Sequence, residues 1–120
     1  MDSRLEKALE FTNYRKTIAD QKENLKLKVE KLLIYSHNGG LFKITPELIS
    51  FVKYLSEKSE SGILLDNNMI PIEIKNLSIF LDEIFSRYSQ VMNEYLREYS
   101  LLKKARSIKS LVKLNDEETN

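Results

Sequence analysis

Cysteine and tryptophan are absent from this chain, histidine occurs once, proline twice and glycine three times. Without cysteine there are no disulfides and no thiolate metal ligands, which fits a reducing compartment. A single imidazole, His37, cannot build the usual multi-histidine centres, and no Glu-x-x-His pair of the kind that holds two irons in a helical bundle occurs. Long apolar runs are missing too, with nothing near the roughly 20 residues a membrane span needs. The opening segment "MDSRLEKALEF" is charged and lacks the apolar region of a secretory leader. These absences predict an intracellular protein with no membrane partner, no metal and no cofactor.

A dominant charge sign is also lacking. Nineteen basic and 18 acidic residues leave a net +1 over 120 residues, so no global field points at nucleic acid or membrane. By segment the charge is +2 over residues 1–37, −2 over 38–74, +4 over 75–114 and −3 over 115–120, which sums to +1. Recognisable catalytic groupings are scarce. "HNGG" followed by an apolar run reverses the strand–glycine–helix order of a phosphate-binding loop. "DNNMIPIEI" begins like a calcium loop but lacks its sixth-position glycine. Glu94 and Glu98 stand four apart on a helical face beside Arg97, the pattern of a solvated charged surface. No acid–base pair has a catalytic setting, and the chain is read as a non-enzyme.

What is present is helical periodicity. Leu5, Ala8, Phe11, Ile18, Leu25, Val29 and Leu32 recur at helical spacing and predict a long helix over residues 3–36, with Ser3 as its cap and Glu6 completing a capping box. Arg15 and Lys22 interrupt the stripe and are expected to lay only their stems along it. "HNGG" is read as the stop of that helix, with Asn38 and Gly39 in the left-handed backbone of a C-cap and His37 as a polar contact at the helix end. "LFKI" (41–44) is a short strand. Thr45 caps a helix over 46–58, with Pro46 at its first position and Glu47 complementing its dipole. "GILL" and "MIPIEI" around Asp66-Asn67-Asn68 predict a hairpin, in which Pro71 must sit at an edge or where no ladder hydrogen bond is donated. Asn76 caps a last helix over 77–109, with the stripe Leu77, Leu81, Ile84, Tyr88, Val91, Tyr95, Tyr99, Leu102 and Ala105.

The expected fold is mostly α (α+β): two long antiparallel helices with a small three-stranded antiparallel β insert and a short third helix. It forms a single domain over 1–114, with the insert at about 38–75 and a disordered acidic tail at 115–120. Two helical stripes offer more apolar surface than a small insert covers. Tyr88, Tyr95 and Tyr99 are therefore a candidate partner interface, and Lys103, Lys104, Arg106, Lys109 and Lys113 a candidate contact for an anionic partner, nucleic acid included.

Over roughly residues 1–112 the chain resembles a family of small conserved proteins of unknown function from marine tailed phages (cyanophage-type myoviruses). The likeness rests on "MDSRLEKALEF", "NYRKT", "YSHNGGLFKITPELISFVKYL", "LLDNNMIPIEIKNLSIFLDEIF", "YSQVMNEY" and "KKARSIKSLV". It implies a viral setting in a host cytoplasm or virion and no mechanism. The order helix, β-insert, helix is also similar to a prefoldin chaperone subunit, from which the extra helix at 46–58 departs. The function expected is a protein-interaction, assembly or accessory role through helical faces or self-association, with nucleic-acid association and prefoldin-like chaperoning as the alternatives.

Overall fold

The computed structural model describes residues 2–118, and side chains through residue 105. Seven elements follow in order: α1 (Ser3–Leu32), β1 (Ile34–His37), β2 (Gly40–Lys43), α2 (Pro46–Lys58), β3 (Gly62–Leu65), β4 (Pro71–Ile74) and α3 (Leu77–Glu118). The chain is mostly helical, as expected. The sheet is not: β1 pairs only with β2 and β3 only with β4, giving two antiparallel hairpins instead of one three-stranded sheet.

The extra strand comes from the end of the first predicted helix. Ile34 and Tyr35 are residue types that suit a pleated, half-buried surface, and they pair with Lys43 and Phe42. Asn38 and Gly39 then form the two-residue turn, both with positive φ (49° and 82°), the geometry of a type I′ hairpin. His37 accordingly lies in a strand next to that turn and not at a helix end. The first helix begins differently too. Asp2, not Ser3, is its cap: the Asp2 carboxylate accepts from the Arg4 N–H at 3.0 Å and the Asp2 carbonyl from Glu6 N–H.

The other predicted caps hold. Thr45 has extended backbone and its hydroxyl accepts from Leu48 N–H at 3.1 Å, with Pro46 in the first turn of α2. Asn76 Oδ1 accepts from Ile79 N–H at 3.0 Å at the head of α3. That helix continues to Glu118, past the predicted end near 109 and into the segment read as tail; residues 119–120 lie outside the described residues.

Contacts divide the chain into two compact units. The unit Val29–Glu94 holds both hairpins, α2 and the first half of α3. Its core is Phe42, Ile44, Val52, Leu64, Ile72, Ile74, Leu77, Phe80 and Ile84, with Leu48, Ile49, Leu55, Leu81 and Tyr88 packed around it. Alternation in the strands produces this. Phe42, Leu64, Ile72 and Ile74 point inward while their neighbours point out, so one face of each hairpin closes onto α2 and α3. Phe80, absent from the predicted stripe, is fully buried with its ring edge-on to Phe42 at 5.3 Å. Burial of such a side chain contributes about 2–3 kcal/mol.

The other unit, Met1–Lys28 with Tyr95–Asn120, is an antiparallel helix pair. Ile18 and Leu25 are its buried apolar residues on α1. Tyr14 Oη donates to the Ala105 carbonyl at 3.2 Å, and Lys28 Nζ to Glu98 at 3.0 Å. Arg15 lies over the Phe11 ring and Lys22 over the Tyr99 ring, at 5.8 and 5.3 Å. Both cations thus cover apolar rings from the interruptions in the stripe, as their long stems allow.

Candidate functional site

The two hairpins meet through Asp66. It is the buried charged side chain among the described residues, and it sits at the first position after β3. Its Oδ1 accepts from Asn68 N–H (2.8 Å) and Ile70 N–H (2.9 Å), and its Oδ2 from Leu41 N–H of β2 (3.1 Å). Donation from the Ile70 and Leu41 amides holds its carboxyl below the usual carboxylate range, against the opposing effect of burial. Asn67 N–H then donates to the Leu41 carbonyl at 2.7 Å, and the Asn38 side-chain amide to the Glu73 carbonyl at 3.1 Å. The outward N–H and C=O of Leu41 on β2 and the outward carbonyl of Glu73 on β4 are therefore occupied.

Asp66 also shapes the loop. Asp66 N–H donates to the Ile70 carbonyl, closing a three-residue turn over Asn67, Asn68 and Met69. Met69 stands at φ 62°, the left-handed position that such turns usually give to glycine. Its side chain is 71% exposed. Beside it, Ile70 and Leu65 are about half exposed, Leu41 nearly so, and Ile63 is 69% exposed. A rigid, internally hydrogen-bonded loop thus presents a run of large apolar side chains to solvent. Scattered exposed apolar residues are ordinary, but the grouping of Ile63, Leu65, Met69 and Ile70 within one hairpin makes it a candidate contact surface.

A second cluster gathers the titratable groups of the same unit. Tyr35 Oη donates to Glu83 Oε2, and burial, then the hydrogen bond and charge of Glu83, push the phenol up to about 12 against the opposing pull of Arg87. The Arg87 guanidinium sits 5.9 Å from the Tyr35 ring centre and donates to the Leu32 carbonyl at 3.4 Å, covering the end of α1. His37 stacks on Tyr35 at 6.1 Å and meets Phe80 edge-on at 5.0 Å. A tyrosine held protonated, a carboxylate engaged with it and a guanidinium occupied by a helix end form a structural tie, with no nucleophile poised beside a base. Among the described residues no group of three or more histidine, aspartate and glutamate side chains is placed to hold a metal, and no helix is long and apolar enough to cross a membrane.

The residues singled out by sequence fall in different settings. Tyr88 packs around the core of the unit Val29–Glu94. Tyr95 and Tyr99 belong to the helix pair, where their rings meet edge-on at 6.2 Å and Tyr99 carries Lys22. Lys103 and Lys104 are exposed on α3, while the side chains of Arg106, Lys109 and Lys113 lie outside the described residues. Between the helices of that unit runs an open groove of about 460 Å³ lined by Gln21, Leu25, Lys28, Glu98, Leu101 and Leu102. The exposed apolar residues of the second hairpin, Ile63, Leu65, Met69 and Ile70, were not among the predicted sites. Their signal was in the strand alternation: with Leu64 inward, Ile63 and Leu65 must point out, and both are apolar. No family model, curated protein or solved structure matches the chain.

Proposed function

We propose that this chain is a non-enzymatic protein-interaction module, an assembly or accessory factor whose main contact surface is the apolar outer side of its second hairpin. The observation that carries this reading is the exposure of Ile63 and Leu65 on β3 and of Met69 on the adjoining loop, which the Asp66 carboxylate fixes. Rigidity matters here, because an ordered surface loses little conformational freedom when a partner binds. Large, pre-positioned apolar side chains are the kind of group that dominates contact energies when they fill a partner's pocket. The helical faces expected from sequence are partly used, with Ile18 and Leu25 buried while Leu5 and Phe11 of the same stripe stay exposed. The resemblance to small phage proteins puts this role in an infected cell.

The test compares two baits in cells expressing them: the full chain, and a double variant with Ile63→Lys and Met69→Lys. A protein held by the wild type at about 1 M salt, where charge pairs are screened beyond about 3 Å, and lost from the double variant supports the reading. Captured nucleic acid that washes off steeply as salt rises overturns it in favour of a contact through the basic end of α3. Identical captures by both baits overturn the placement of the surface.

A further inference from the structure

The main-chain geometry of β3 goes one step further than its side chains. The Asp66 N–H to Ile70 carbonyl bond sets the parity of the ladder, with Leu64↔Ile72 and Gly62↔Ile74 as the hydrogen-bonded pairs. Ile63 and Leu65 then occupy the intervening pairs, and their N–H and C=O groups point away from β4. Pro71, opposite Leu65, lies in the same class of position, which is why a residue without an N–H fits there. The corresponding outward groups are engaged at Leu41 of β2 and at the Glu73 carbonyl of β4, whereas among the described residues no hydrogen bond reaches the main chain of Ile63 or Leu65 from outside the hairpin. Strand β3 is thus an open edge. Its guard is its shortness, four residues, for it carries no charge and no proline between Gly62 and Leu65.

We infer that β3 pairs antiparallel with β3 of a second copy of this chain across a two-fold axis, joining two hairpins into one four-stranded sheet. This rests on the hairpin being the contact surface proposed above. The strand is self-complementary in one register. With Ile63 opposite Leu65 of the second copy, and the reverse by symmetry, each pair exchanges both of its main-chain hydrogen bonds. Leu64 then meets its own copy, Asp66 faces Gly62, and Glu60 faces Asn68. No like charges stand opposite one another. Moving the axis to Ile63 brings Glu60 against Asp66, and moving it to Leu65 brings Leu64 against Asp66, so charge and polarity select the first register. A partner of uncertain supply is not needed, because each copy carries the matching strand. A two-fold contact of this kind is isologous and closes at two subunits.

The experiment is sedimentation equilibrium of the full chain from about 1 μM to about 1 mM, a range suited to an interface at the small end of the stable class. It is paired with residue-resolved amide hydrogen exchange. The expected result is a mass rising from 14.1 kDa to twice that value, with the Ile63 and Leu65 amides slowing at least tenfold as the dimer fills. Ile63→Lys and Leu65→Lys, both at exposed positions that leave the core intact, each hold the chain at the monomer mass with an unchanged helical spectrum. A monomer at every concentration overturns the inference, as does a dimer whose Ile63 and Leu65 amides remain unprotected. A monomer that still captures a salt-resistant protein lost with Ile63→Lys and Met69→Lys overturns only the second copy. Loss of both results overturns the contact surface as well.

Discussion

Gly40 offers a direct test of how the two hairpins are fitted together. It is buried on β2, and a Cβ built there would lie 2.6 Å from Ile72 Cγ1, 3.0 Å from Ile72 Cδ1 and 3.2 Å from Phe42 Cε2. The decisive contact is Cγ1. A β-branched side chain is stiff at χ1, so Ile72 cannot swing that atom away without leaving its rotamer, a cost of about 0.5–1.5 kcal/mol for about 30°. Phe42 cannot give way either, being buried to 1% exposure against Phe80. Overpacking of this kind costs about 1–3 kcal/mol, and the reduced freedom of the unfolded chain returns about 0.4–1 kcal/mol on replacing glycine by alanine. Gly40→Ala should therefore destabilise by about 1–2 kcal/mol and lower Tm by roughly 4–10 °C, read by circular dichroism at 222 nm during thermal and urea unfolding. Ile72→Val, which removes Cδ1, should cost about 0.5–1.5 kcal/mol alone and less in the Gly40→Ala background. A Gly40→Ala protein as stable as the wild type, or strict additivity with Ile72→Val, would refute the packing argued here.

Met69→Gly relieves a left-handed backbone that disfavours any side chain, and should raise stability by about 1 kcal/mol in urea unfolding while removing an apolar contact from the proposed surface. Asp66 has its folded pKa lowered by amide donors, so its contribution is present above the unfolded value of about 3.9 and is lost as pH falls through the folded one. The Tm gap between wild type and Asp66→Asn should accordingly be wide at neutral pH and narrow below about pH 4; a gap constant with pH would contradict the role given to the charge. Tyr35 has its folded pKa raised to about 12, so its share of stability is complete below about pH 10 and disappears as pH climbs through the folded value. Tyrosinate absorbance at 295 nm should show a late ionisation near pH 12, and Tyr35→Phe should abolish it.

Local rules carried much of the architecture. Thr45 and Asn76 were legible as caps because each is followed by an apolar-periodic run and its side-chain oxygen has a free amide three residues on. The helix α2 was legible to its ends for the same reason, helped by Pro46. The first helix failed at its far end because Asn38-Gly39 has two uses. Left-handed backbone at Asn-Gly ends helices, but the same dipeptide makes the tightest hairpin turn, and the arbiter is what flanks it. Ile34-Tyr35 on one side and Leu41-Phe42 on the other are strand residues, and pairing them buries Phe42 against Phe80. Placing that turn in a helix end left one strand unaccounted for, which is why two hairpins were read as one three-stranded sheet.

The surface proposed for contact was harder to see, and the reason lies in Asp66. In sequence it is one polar residue in a polar turn, with nothing to distinguish it from Asn67 or Asn68. Its role appears only when a donor 25 residues away, Leu41 N–H, is brought to it by the first hairpin. That long-range bond engages the outward main chain of Leu41 on β2, and Asn38 takes the Glu73 carbonyl on β4, whereas among the described residues no hydrogen bond reaches the outward peptide groups of Ile63 and Leu65 on β3. A buried carboxylate is a costly device for closing an ordinary turn, since stripping it of water is repaid only by well-placed donors. Here it receives three, and it holds Met69 in a backbone that a methionine does not choose. Strain retained at an exposed apolar tip, where glycine would serve the fold better, is what the proposed contact role of Met69 would account for.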